Sequence, residues 1–167
     1  EGELRDSVAE GCEAEIVLST TPFYAEKGGQ VGDTGTITAD NFVFEVIDTV
    51  FPVADLIVHK GIIKKGTLTP GMKVSAKIDI ERRKDIQRHH TATHLLHEAL
   101  TRVLGKHVRQ AGSVVTPTFL RFDFNHFTPV TLDQLREVER IVYEEVLATI
   151  PVTTTVMPIE EAKKSGA

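Results

Sequence analysis

The chain has 167 residues, with 19 Lys and Arg against 24 Asp and Glu, a formal net charge of -5 and a pI near 5.8. A hydrophobic share of 41% supports a core and excludes a disordered chain, and no apolar run approaches the ~18 residues of a membrane span. The acidic opening EGELRDSVAEGCEAEI is unlike a secretory leader, and the single cysteine, Cys12, excludes an internal disulfide. A cytoplasmic protein is therefore expected, with Cys12 a buried thiol.

From Ala14 to about Ile80 the sequence is built of short β-branched runs: EAEIVLS, TGTITA, NFVFEVIDTVF, LIVHKGII and MKVSAKIDI. Phe42, Phe44 and Val46 alternate with Val43, Glu45 and Ile47, the period of a strand with one buried face. Gly28-Gly29, Gly32-Asp33, Ala39-Asp40-Asn41, Gly61 and Thr69-Pro70-Gly71 break the runs. Closely spaced strands without a long helix predict a small barrel or sandwich. Gly28, Gly29 and Gly32 fit a turn or a close approach of another backbone. Phe23 and Tyr24 beside them are read as buried aromatics in preference to a base-stacking surface.

After Ile80 the pattern changes. ERRKDIQRHHTATHLLHEALTRVLG predicts a helix stopped at Gly105. GSVVTPTFLRFDF predicts two strands around Thr116-Pro117-Thr118. Thr131 with Gln134 predicts a capping box opening a helix whose apolar stripe is Leu135, Val138, Val142 and Val146. VTTTVM predicts a strand, and Pro158 leads into a helical IEEAKK. This order fits a sheet with helices on one face, and a boundary falls near Asp79.

Charge is uneven. Residues 82–109 carry Arg82, Arg83, Lys84, Arg88, Arg102, Lys106 and Arg109 against Asp85 and Glu98, a net +5 inside an acidic chain. Such a run is either a solvated helix face or a patch that meets phosphates. The same segment holds His89, His90, His94 and His97. On a helix His90, His94 and His97 share a face, with His89 a quarter-turn away. Imidazoles at i and i+4 can reach one metal ion; the alternative is a polar face of satisfied imidazoles. No Glu follows the first histidine as in HExxH proteases, and there is no P-loop, no dinucleotide glycine pattern and no G-x-S-x-G.

TPFYAEKGGQVGDTG and HHTATHLLHEALTRVLGKHVRQAGSVVTPTFLRFDFNH resemble the editing region of alanyl-tRNA synthetase, over about Ala14 to Ala167. Stand-alone editing proteins share the first motif and the histidine helix, and the threonyl-tRNA synthetase editing domain is related. The resemblance implies an α+β fold: a small β-barrel over residues 1–79, then a two-layer α/β editing domain over residues 80–167, incomplete at its C-terminus. It implies hydrolysis of Ser-tRNA(Ala) and Gly-tRNA(Ala), with the acceptor end of tRNA(Ala) as partner and neither DNA nor a membrane. In the full-length protein it implies charging of tRNA(Ala) with alanine using ATP.

By position, the resemblance makes His90 and His94 ligands of Zn2+ and Gln110 a pocket residue for amino-acid discrimination. Thr91 and Thr93 are further polar candidates in that pocket. Arg82, Arg83, Arg88, Arg102, Lys106 and Arg109 are candidates for tRNA contact. The family completes its metal site with a downstream Cys-x-x-x-His, so this chain is expected to be a fragment holding half a zinc site, with His97 a candidate helper. The alternatives are a free-standing trans-editing hydrolase, or a tRNA-binding module that does not hydrolyse. An editing role for threonyl-tRNA is disfavoured by FYAEKGGQVGDTG.

Overall fold

The computed structural model describes residues 4–54, 56–153 and 155–165. The five predicted runs become strands β2 (Glu13–Ile16), β3 (Gly35–Ala39), β4 (Phe42–Val53), β5 (Leu56–Lys65) and β7 (Ser75–Ile78). Two-residue strands β1 (Val8–Ala9) and β6 (Thr67–Leu68) pair with each other. The five longer elements form one antiparallel sheet in the order β2-β5-β4-β3-β7. The expected barrel is not closed among the described residues. β2 pairs only with β5, and β7 only with β3. These edge strands have 4 residues each against 12 in β4 and 10 in β5. Edges this short cannot supply the stagger that barrel closure requires.

The alternation in β4 holds at first: Phe42, Phe44 and Val46 are buried and join Ile16, Phe23, Ile37 and Ile63 in one core. It then slips. The ladder with β5 shifts register between Val46 and Asp48, and beyond that bulge Thr49, not Asp48, is the fully buried residue. An extra residue in one strand exchanges the inward and outward faces. The side chain so turned inward holds the loop that follows Phe23, as shown below.

Asp79 caps the long helix α1 (Ile80–Leu104), its carboxylate accepting from Arg82 N at 3.0 Å. Gly105 ends it with φ of 115°. β8 (Gln110–Val115) and β9 (Leu120–Phe124) form the expected hairpin, turned by Thr116, whose hydroxyl accepts from Thr118 N and Phe119 N. The capping box opens α2 (Leu132–Ala148): Thr131 Oγ1 accepts from Gln134 N, and Gln134 Oε1 accepts from Thr131 N. α1 packs on α2 and on both strands, closing a second core of Ala99, Leu100, Val108 and Val138.

Three further expectations are corrected. Val138 is buried, but Leu135 and Val146 of the same stripe are 47% and 52% exposed, because nothing among the described residues covers that edge of the groove between α1, β9 and α2. The described residues of VTTTVM form no strand, and Thr154 lies outside the described residues; β-branched propensity needs a partner ladder to express itself. IEEAKK does form α3 (Ile159–Lys164). Cys12 is exposed, not buried. No described helix is long and apolar enough to cross a membrane.

His59, to which the sequence assigned no role, is fully buried in β5. Its Nδ1–H donates to Ile16 O at 2.9 Å, and Nε2 accepts from the Thr21 hydroxyl at 2.7 Å. The neutral ring is satisfied at both nitrogens, and burial pushes its pKa below the usual histidine value. The unfolded chain therefore takes up this proton first as pH falls through about 6.5, and the folded state loses stability from there down to the depressed pKa. Urea unfolding between pH 8 and pH 5 should show that loss, and His59→Gln should reduce it; an unchanged pH slope in the variant contradicts this assignment.

Candidate active site

The loop 21–34, carrying TPFYAEKGGQVGDT, is fixed from three sides. Toward the sheet, Glu26 N donates to Thr49 O at 2.8 Å and the Thr49 hydroxyl donates to Asp33 O at 2.9 Å. Within the loop, Tyr24 N donates to the Asp33 carboxylate at 2.7 Å and Asp33 N donates to Tyr24 O at 2.9 Å. Toward the second half of the chain, Val31 N donates to Val115 O at 3.1 Å and Val115 N to Gly29 O at 2.8 Å, so the loop docks on β8.

Its tip is a two-residue turn. Lys27 and Gln30 exchange both backbone hydrogen bonds, at 3.2 and 3.1 Å. Gly28 and Gly29 have φ of 60° and 82°, the pair of positive values that a tight hairpin turn demands. Gly29 also meets β8 closely: a Cβ there would come within 2.3 Å of Ser113 O. Phe23 is buried with its ring edge-on to His59, which removes it from any stacking surface.

A buried ion pair ties this loop to α1. Asp33 is 2% exposed, and both its oxygens accept from Arg83, the Nε–Oδ1 distance being 2.9 Å. Asp33 holds the Arg83 guanidinium pKa above its usual range. Beside this pair, Arg82 Nη1, one residue before Arg83, donates to Gly32 O, one residue before Asp33, at 2.8 Å. The loop is thereby placed beside the histidine face of the helix.

The four helical histidines separate. His89 Nδ1–H donates to Thr116 O at 2.8 Å, joining α1 to the β8–β9 turn. His90 Nδ1 lies 2.6 Å from Oε1 of Gln30. His90 and His94 stack with ring centroids 5.2 Å apart and planes 20° from parallel. Burial, and then the neighbouring His94, lower the His90 pKa, so its ring is held neutral, the form that binds a metal. The ring of His97 instead packs on Phe122 at 5.0 Å. The spacing put three imidazoles on one face; the structure brings two together. Among the described residues no group of three or more His, Cys, Asp or Glu stands ready for a metal ion.

The polar candidates also separate. Gln110 is exposed at the start of β8 and donates to Ser113 Oγ at 3.0 Å, which sets it on the strand where Gly29 docks. Thr91 is exposed. Thr93 is buried, and its hydroxyl donates to His89 O at 2.8 Å, one turn back along the helix. Of the basic candidates, Arg83 serves Asp33 and Arg82 serves Gly32. Arg88 pairs with Asp85, and Arg102 with Glu98 at 2.9 Å and Glu145 at 3.4 Å. Arg109 donates to the carbonyls of Lys106 and Val108. Lys106 and Arg109 thus have no carboxylate partner among the described residues.

Gln30 and Asp33 were not among the sequence candidates. Gln30 is 6% exposed although it follows two glycines in a turn, where a polar residue ordinarily faces water. The FYAEKGGQVGD run contained it; no local pattern signals a partner 60 positions away.

The profile of the tRNA synthetases class II (A) matches residues 1–82. The alanine–tRNA ligases of Nitrobacter winogradskyi and Methylobacillus flagellatus are each 48% identical over 167 residues, all of this chain and 19% of their own length. That of Bacillus subtilis is 46% identical over the same span. The chain therefore spans about a fifth of the length of these curated relatives. The glycine turn and the histidine helix that build the site both lie within the shared stretch, and at this level of identity along all its residues the chain belongs to the alanyl-tRNA synthetase family.

Proposed function

We propose that this chain is the editing part of an alanine–tRNA ligase, hydrolysing the ester that joins serine or glycine to tRNA(Ala). The observation that carries the reading is the His90–His94 pair, one helical turn apart and in contact, with the KGGQ turn docked against it. The protein of which such a part belongs would charge tRNA(Ala) with alanine using ATP. A second hydrolytic site has a physical motive: serine and glycine differ from alanine by a single group, and an apolar pocket discriminates such differences by only about 1–3 kcal/mol.

The donor set fits zinc in part. His90 and His94 are nitrogen ligands of the right spacing, and structural or catalytic zinc sites use three or four protein ligands, so these two would hold half the coordination sphere. Bound zinc supplies a Lewis acid for an ester carbonyl, a more acidic water, or an anchor for the substrate amino group. The chain's own residues do the rest. Gln110 and Ser113 present an amide and a hydroxyl along β8 for an amino acid side chain, and Thr91 adds an exposed hydroxyl on α1. Thr93 holds the helix instead, since its hydroxyl is spent on His89 O.

The tRNA acceptor end would be met by Lys106 and Arg109, which have no carboxylate partner among the described residues. Arg82, Arg83, Arg88 and Arg102 serve intramolecular partners and contribute less. A second reading has its own support. With only two of the helical imidazoles brought together, and no group of three or more metal-binding side chains among the described residues, the 167-residue chain alone would bind tRNA without hydrolysing it.

Deacylation of seryl-tRNA(Ala) separates the two readings. A protein of the relatives' length carrying this sequence should release serine, and His94→Ala should reduce that release to the uncatalysed rate while alanine-dependent ATP–pyrophosphate exchange is kept. The isolated chain should release none. Release unaffected by His94→Ala contradicts the proposal.

A further inference from the structure

We propose that Gln30 is a positioning residue for His90: its amide oxygen keeps the imidazole proton on Nδ1, so that Nε2 presents its lone pair to a metal ion. The inference rests on the zinc-site reading of His90 and His94 and specifies how this chain prepares one of the two ligands. It starts from a contact between a strand-side loop and a helix, Gln30 Oε1 to His90 Nδ1 at 2.6 Å. A carbonyl oxygen has no proton to give, so the proton in that bond belongs to the ring. A neutral imidazole has one N–H; if Nδ1 holds it, Nε2 is bare. Were the amide reversed, its NH2 would donate to Nδ1, the ring proton would move to Nε2, and that atom would be closed to an ion. A separation of 2.6 Å is at the short end for N–H···O and shorter still for N–H···N.

The side chain is placed to enforce this choice. Gln30 is 6% exposed. Its own N–H and C=O are bonded to Lys27, and the residues on either side, Gly29 and Val31, are bonded to Val115 of β8. The loop behind it is pinned by Thr49 and by the Asp33–Arg83 pair. A flexible amide is thus rooted in backbone that cannot swing, and little freedom is lost on making the bond. His94 has no counterpart of this restraint among the described residues: it is exposed, with its ring against His90. Histidine ligands of metals ordinarily have their second nitrogen oriented by such a partner, and its loss weakens metal affinity about 10–100-fold.

The test has a readout that needs neither tRNA nor turnover. In the metal-free 167-residue chain at pH 8, long-range 1H–15N correlation of the histidine rings reports which nitrogen carries the proton, with His90 assigned by the loss of its signals in His90→Asn. The expected result is Nδ1–H with a bare Nε2. Gln30→Ala should move the proton mainly to Nε2 and weaken Zn2+ binding, measured by titration with Zn2+ itself, by about tenfold or more. Gln30→Glu, which keeps an acceptor at the same reach, should retain both the tautomer and the affinity. A proton on Nε2 in the unaltered chain overturns the proposal without any variant having to fold. So does Gln30→Ala with tautomer and affinity both unchanged, or with the tautomer altered and the affinity unaffected. The Zn2+ titrations use a protein of the relatives' length carrying this sequence, and if that protein takes up no Zn2+ the zinc reading fails while the tautomer still decides the role of Gln30.

Discussion

The Asp33 carboxylate, almost wholly out of water, is held by the Arg83 guanidinium, and the placement of the site follows from that pair. A buried carboxylate without a partner costs several kcal/mol, so the loop and the helix cannot separate cheaply. Asp33 sits at the end of the glycine loop and Arg83 in the first turn of α1. Their union sets the angle at which the helix leaves the sheet, and with it which helical face looks at the KGGQ turn. The exposed pairs further along the helix, such as Lys84–Glu81 and Arg88–Asp85, resemble it only in sequence. They are solvated on both sides and add little beyond about 1 kcal/mol each.

From that anchor the structure is a relay of short-range causes. The β4 bulge turns Thr49 inward; Thr49 and the Tyr24–Asp33 bonds shape the loop; the two glycines permit its tip; β8 receives it through Val115. The result sets a buried amide against one histidine of a helix whose other histidines face different neighbours. Two buried clusters lie on either side of this junction, one around Phe42 and Phe44 and one around Leu100 and Val138. The polar contacts that cross it include Asp33–Arg83, Gly32–Arg82 and Gln30–His90.

Period and propensity sufficed for the strands and helices because those signals are local. Phe42, Phe44 and Val46 announce β4, Thr131 and Gln134 announce α2, and Gly105 ends α1 where a glycine stop was expected. They fail where the cause is distant. Nothing within β4 marks the bulge that buries Thr49, since the partner strand creates it. VTTTVM has the composition of a strand, and its described residues find no partner ladder among the described residues. The histidine spacing placed three rings on one face, yet Phe122, from β9, takes His97 away. Arg83 looked like a cation for phosphate because its sequence neighbours are cations; its real partner is 50 residues earlier. Gln30 was invisible for the same reason, its role being defined by a ring 60 residues later.

The central claim is that His90 and His94 together ligate one zinc ion. X-ray absorption at the zinc edge tests it most directly, on a protein of the relatives' length that carries this sequence and has been loaded with one equivalent of zinc. The account predicts nitrogen scatterers at about 2.0–2.1 Å with the outer-shell pattern of two imidazoles, reduced to one imidazole in His94→Ala. A zinc shell without imidazole, or one that the substitution leaves untouched, would contradict it.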